Sequence, residues 1–177
     1  YVSKERASAV ENPLTGWWGH REPFAFDLDY RPAQSIQRFQ TGTMPILSLR
    51  PIEHGVALTA EAGMRQIRAK SIAMASFFIE QADVHLRPLG FSLSSPHQPT
   101  RRGSNVSLRH PQAWQIVQAM IDKGQIIPDF REPDNIRFGF APLYTSFGDV
   151  HTAIGRLLGI VGNKLHTGYP IHRRSVT

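Results

Sequence analysis

Apolar residues recur along the second half of the chain at two different spacings. In ILSLRPIEHGVALTAEAGMRQIRAKSIAMASFFIEQAD, residues 46 to 83, Ile46, Leu47, Leu49, Ile52, Val56 and Leu58 precede Met64, Ile67, Ile72, Met74, Phe77, Phe78 and Ile79. Steps of three and four predict helices. Pro51 and Gly55 mark the first as short, and Thr59, ahead of Glu61 and Ala62, is the expected cap of a second running from about Ala60 to Gln81. Two alternating pieces follow, FSLSS (91–95) and NVSLRH (105–110), parted by the turn-rich PHQPTRRGS. PQAWQIVQAMIDKG opens on Pro111, closes at Gly124 and sets Trp114, Val117, Met120 and Ile121 on one helical stripe. IIPDFR and NIRFGFAP predict two more strands divided by EPD. SFGDVHTAIGRLLGIVGNKL predicts a last helix, capped by Ser146, with Val150, Ile154, Leu157, Leu158 and Val161 inward. The order β-β-α-β-β-α describes a small α+β domain, an antiparallel sheet with helices on one face, beginning near Asp83 to Leu89.

Residues 1 to 45 show no such periodicity. Pro13, Pro23, Pro32 and Pro45 interrupt them, so this portion is shaped by packing against something else. Within it, PLTGWWGHREPF sets Trp17 and Trp18 between Gly16 and Gly19, with His20 next. Two large apolar side chains in a loop admit three readings: a fold back onto the core, a contact with another chain, or the wall of a ligand site.

Composition narrows the classes. The chain has 177 residues, 41% of them hydrophobic and only 19% charged, which fits one or two globular domains rather than disorder. It has no cysteine, which excludes disulfides and thiolate metal sites. Its longest apolar runs, such as LLGIVG, are far short of the roughly 20 residues that span a bilayer. It opens on Tyr1 rather than Met, which reads as a fragment or a processed product. The net charge of +6 points to an acidic partner. Yet the basic residues are scattered, from Arg31 and Arg38 through Arg101 and Arg102 to the tail His172-Arg173-Arg174, without a long run or an RNA-binding signature. A basic, non-catalytic α+β module for an anionic ligand or RNA is therefore the alternative function class.

The candidate chemistry is sparse. Eight histidines lack ligand spacing, and neither a G-x-S-x-G elbow nor a phosphate loop occurs. RRGSN reads as a turn rather than an anion nest. Two places hold interest. RFQTGTMPILSL (38–49) sets Gly42 and Thr43 just ahead of a helix, where free N–H groups and a hydroxyl make a ready anion site. NIRFGFAPLYTSF sets Arg137 in a strand between Ile136 and Phe138, which must point to the other face. Such an arginine is either a salt-bridged sheet residue or a carboxylate clamp.

Taken together, GWWGH, RFQTGTMPILSL, EAGMRQIRAKS, RGSNVSL, IIPDFREP and RFGFAPLYTSFGDV resemble the kynureninases, fold-type-I pyridoxal-phosphate enzymes of the α/β class, in family order from Trp17 to about Val150. The resemblance implies hydrolysis of L-kynurenine to anthranilate and L-alanine, in tryptophan catabolism and NAD synthesis, by a cytoplasmic homodimer that needs neither nucleic acid nor membrane. The family's lysine-bearing string, similar to KYLNGGPG, has no counterpart here. YVSKERAS resembles the segment shortly after it, so Lys4 is not the Schiff-base lysine and the chain alone is expected to be inactive.

The same resemblance implies residue roles. Trp17 and Thr43 match the residues that bind the pyridoxal 5'-phosphate phosphate from the neighbouring subunit, which displays the tryptophan loop across a dimer interface. Trp18 matches an aromatic position near the substrate's aryl ring, and Arg137 the arginine on its α-carboxylate. Gly42-Thr43 follows a bacterial pattern that implies preference for kynurenine over its 3-hydroxy derivative. It further implies residues 1–58 as the end of the large coenzyme-binding domain, 59–83 as a long connecting helix and 84–177 as the small α+β domain.

Overall fold

Alternation in NVSLR and NIRFG becomes the centre of a four-stranded antiparallel sheet in the computed structural model, which describes residues 1–171. Strands β1 (Ser92–Leu93), β2 (Asn105–Arg109), β3 (Asp129–Arg131) and β4 (Asn135–Gly139) are ordered β1-β2-β4-β3. In register, Val106 faces Phe138, Ser107 faces Arg137 and Leu108 faces Ile136 across β2 and β4, while Asp129 faces Arg137 across β3 and β4. Successive side chains alternate faces. Val106, Leu108, Ile136 and Phe138 are therefore on one side, and all are buried. Ser107, Arg137, Asp129 and Arg131 share the other, partly open side.

The chain divides into two compact units, Tyr1–Ala57 and Leu58–Thr177. The tail His172-Arg173-Arg174 lies outside the described residues. In the first unit the short α1 (Lys4–Ala7) and two 3-10 turns, Trp17–Gly19 and Ile36–Phe39, precede the long α2 (Ile46–Ala62), which runs into the second unit. The helical expectation needs correction here. Pro51 lies inside α2 rather than ending it, and Thr59 is a helix-interior residue whose carbonyl accepts the Gly63 N–H at 3.0 Å. The break falls at Gly63, where φ is +78°, a backbone conformation that favours glycine. Proline in the second turn costs one helix bond, whereas a left-handed residue redirects the chain.

Beyond Gly63, α3 (Met64–Gln81), α4 (Ala113–Asp122) and α5 (Phe147–Gly162) pack on the apolar face of the sheet around one core. Met74 and Phe78 of α3 and Leu157 of α5 are essentially inaccessible, and each such side chain contributes about 1.5–3 kcal/mol by burial. Because α3 supplies part of that core, the division falls after Ala57, and the expected boundary at residues 83–89 lies inside the second unit. The inward face of α4 is Ile116, Val117 and Met120, flanked by the small Ala113 and Ala119. Ile121 is exposed, and Trp114 instead meets the Phe130 ring edge-on at 5.5 Å. On α5, Leu158 is partly buried against the core as expected, Ile160 is buried as well, and the Ser146 cap closes a full capping box with Asp149.

Candidate cofactor-loop and carboxylate site

In the first unit two loop segments interlock because two glycines leave room. Gly16 lies so close to Thr41 that a Cβ there would overlap the Thr41 carbonyl. A Cβ on Gly19 would stand 2.8 Å from the Arg38 carbonyl oxygen. The 16–19 loop, a short 3-10 turn over Trp17–Gly19, is thereby pressed against residues 38–43. Arg38 ties the surrounding loops, donating to the carbonyls of Ala33 and Ser8, each at 2.8 Å. Loop carbonyls without a ladder partner need such donors.

This packing brings four of the five expected site residues together. Trp18 Nε1 donates to Thr43 Oγ1 at 3.3 Å, and Gly42 adjoins with open space around its Cα. Trp17 packs on Trp18 with ring centroids 4.8 Å apart and planes tilted by 43°, and meets Phe24 edge-on at 5.6 Å, yet stays 47% exposed. Its indole N–H donates to no described residue. Thus the tryptophan that bonds Thr43 directly is Trp18, while the half-exposed Trp17 keeps its donor unused among the described residues. Thr43 is exposed just ahead of α2, whose first N–H groups, on Ile46 and Leu47, lie beyond the reach of helix bonding. A depression of about 710 Å³ is walled by Trp17, Phe24, Phe26 and Tyr30, without Trp18 or Thr43. His20 lines the same depression with both ring nitrogens engaged. Its Nδ1 accepts the Glu22 N–H at 3.0 Å and its Nε2 bonds the Asp29 carbonyl at 3.3 Å, a satisfied structural histidine.

Arg137, the fifth residue, belongs to the second unit and projects from the open face of the sheet. There its Nη2 pairs with Asp129 Oδ2, so the salt-bridge reading holds as geometry. Its Nε and Nη1 donate to no described residue, and the side chain is 38% exposed, so donors remain for another carboxylate. Asp129 also takes Arg131, at 2.8 Å from Nη2 and 2.9 Å from Nε. Desolvation pulls the Asp129 carboxyl up, but the hydrogen bond and charge of Arg131 and those of Arg137 together hold it below the usual carboxylate range. Two guanidiniums around one carboxylate leave the cluster net positive. A separate cleft of about 320 Å³, between Phe78, Phe140 and Arg156, does not include Arg137.

Sequence reasoning did not single out Asp129. The signal was present in PDFR, where Asp129 and Arg131 flank apolar Phe130 with the same period of two that exposes Arg137. Much of the positive charge is consumed internally. Arg102 is buried against the Pro96 and His97 carbonyls and Ser76 Oγ, and Arg68 donates to the Pro99 and Arg102 carbonyls. The net charge thus gives the alternative basic module no concentrated surface on these elements.

Residues 67–157 match the family described as the kynureninase C-terminal domain. The kynureninase of Pseudomonas fluorescens is 40% identical over 164 residues, 93% of this chain and 39% of that protein, so the chain spans about two fifths of its length. Among solved structures, the apo cysteine desulfurase of Thermococcus onnurineus NA1 superposes with a TM-score of 0.75 at 19% identity, over 92% of this chain and 42% of that one. A variant of C-DES with glycine covalently linked to its PLP cofactor gives 0.69 at 16%, over 89% and 40%. The fold is accordingly that of the C-terminal part of fold-type-I enzymes.

Proposed function

The chain belongs to the kynureninase C-terminal domain family, and on that premise we propose that it is the C-terminal portion of a kynureninase. The parent protein hydrolyses L-kynurenine to anthranilate and L-alanine with pyridoxal 5'-phosphate. The observation that carries this reading is the interlocking of the tryptophan loop with the Thr43 segment, down to the 3.3 Å bond from Trp18 to Thr43.

The donors fit a phosphate. The Trp17 indole N–H, the Thr43 hydroxyl and the free N–H groups at the start of α2 would give an anion directed hydrogen bonds without a formal charge. When bound, the coenzyme supplies the electron sink; the protein orients the substrate against it. In this proposal Trp18 packs near the substrate's aryl ring. The open space at Gly42 together with Thr43 favours kynurenine over 3-hydroxykynurenine. Arg137 holds the α-carboxylate through the donors that Asp129 leaves free. Water exclusion and subunit sharing fit the exposed apolar surface of α2, where Leu47 is 90% exposed and no residue is buried. A second subunit that receives Trp17 and Thr43 in trans belongs to the same proposal. So do a cytoplasmic location and a role in tryptophan catabolism and NAD synthesis. No helix of the described residues is long and apolar enough to cross a membrane.

The test is anthranilate release from L-kynurenine by the full-length protein carrying this chain, supplied with pyridoxal phosphate. Turnover of kynurenine, faster than of 3-hydroxykynurenine, is expected; no release by folded, coenzyme-loaded protein would overturn the proposal. The isolated 177-residue chain, with no counterpart of the family lysine, is expected to release none.

A further inference from the structure

We infer that Asp129 is a positioning residue for substrate recognition: braced by Arg131, it holds the Arg137 guanidinium through Nη2 so that the N–H groups it leaves free meet the substrate carboxylate. The inference rests on the reading of Arg137 as the carboxylate-binding arginine.

Three observations point this way. First, the contact is one-sided. Asp129 engages Arg137 only through Nη2, and Nε and Nη1 are left without a described partner. A guanidinium offers its five N–H groups in a rigid plane, so fixing one nitrogen fixes the direction of the rest. Second, the contact is built into the ladder. Asp129 and Arg137 are direct register partners across β3 and β4, so backbone pairing sets their separation. Arg131, two residues along β3 on the same face, holds the same Asp129 oxygen at 2.8 Å, so the carboxylate cannot swing away without losing a second ion pair. Third, the charge favours an anion. One carboxylate between Arg131 and Arg137 leaves a net positive cluster on a partly open sheet face, which a second carboxylate completes.

A competing effect has the opposite sign. If Asp129 only competed with the substrate for Arg137, removing it would improve carboxylate binding. If it positions Arg137, removing it lets a long side chain sample other rotamers, and binding suffers. The two roles are separable in the full-length enzyme. Asp129→Ala removes both charge and acceptor, whereas Asp129→Asn keeps an oxygen that accepts from Nη2. The measurements are KM and kcat for L-kynurenine, the inhibition constant of its decarboxylated amine, and coenzyme content, with Arg137→Lys alongside.

Positioning predicts that Asp129→Ala raises KM roughly tenfold, as loss of one orienting hydrogen bond implies, with kcat changed far less. Asp129→Asn should recover most of the loss, and amine binding and coenzyme content should stay at wild-type levels in both. A lowered KM in Asp129→Ala would show competition and overturn the inference. So would equal losses for kynurenine and the amine together with coenzyme loss, since that pattern marks a merely structural strand pair. If Arg137→Lys does not weaken kynurenine relative to the amine, the reading of Arg137 itself fails. If Arg137→Lys does so and both Asp129 variants behave as wild type, only the role of Asp129 fails.

Discussion

Trp18 and Thr43, twenty-five residues apart in sequence, are joined by an indole N–H to hydroxyl hydrogen bond of 3.3 Å. The bond occupies an acceptor lone pair of Thr43 and leaves its O–H proton free to donate. A phosphate oxygen beside it would accept a hydrogen bond from that O–H. Thr43→Ala should therefore weaken coenzyme binding in the full-length protein roughly tenfold or more, the worth of a hydrogen bond to a charged group. Thr43→Ser should retain most affinity. Equilibrium dialysis of pyridoxal phosphate checks both; equal affinity of Thr43→Ala and wild type would remove Thr43 from the phosphate site.

If Trp17 and Thr43 act across a two-fold interface, defective subunits can complement each other. One subunit lacking the coenzyme-binding lysine and one carrying Trp17→Phe with Thr43→Ala should form mixed dimers with one intact site. About a quarter of wild-type activity or more is expected, depending on how the subunits mix. Purified heterodimers without activity would place both residues in the site of their own subunit.

The glycine packing makes a sharper local prediction. Gly16→Ala places a methyl against the Thr41 carbonyl, so the tryptophan loop must lift off the Thr43 segment. Gly42→Ala meets nothing within 4 Å and should leave folding unchanged. Coenzyme affinity and Trp fluorescence are expected to change in the first variant. Comparable folding and affinity in both would mean the two segments are not interlocked.

His110 gives the second unit a pH dependence. Burial lowers its pKa, with the nearby His166 also lowering it and the hydrogen bond to the Leu89 carbonyl opposing. Its Nδ1 accepts the Gln112 N–H at 3.0 Å, a bond only the neutral ring makes. With the folded pKa below the unfolded one, near 6.5, the unfolded state takes up a proton first as pH falls. The stability that His110 contributes is full above about pH 6.5 and is lost as pH falls through the folded pKa. His110→Gln should flatten the melting temperature between pH 7 and 5. An unchanged slope would assign the dependence to other groups.

The second unit was largely legible because its signals are local. Alternation in NVSLR and NIRFG gave both central strands and the side on which Arg137 lies, and Ser146 three residues before Asp149 marked a cap that forms. The expected Thr59 cap does not form, because Pro51 and Gly55 both sit inside α2 and the helix ends only at Gly63, whose positive φ no local pattern announces. The first unit was legible only by resemblance. Its contacts, Gly16 on Thr41 and Arg38 on the Ser8 carbonyl, are long-range and leave no period in the sequence. The period of two that marks Asp129 spans only the three residues of β3, which makes it a weak signal.

Arg137→Lys tests the central claim, that this chain grips the substrate's carboxylate. Lysine keeps a point charge for Asp129 but loses the planar fork. With a charge-assisted contact worth ~1.5–3 kcal/mol, kcat/KM for L-kynurenine in the full-length enzyme should fall roughly tenfold to hundredfold. Coenzyme content, measured in the same preparation, should remain normal. Unchanged kcat/KM at normal coenzyme content would mean that Arg137 serves only the sheet, as the partner of Asp129.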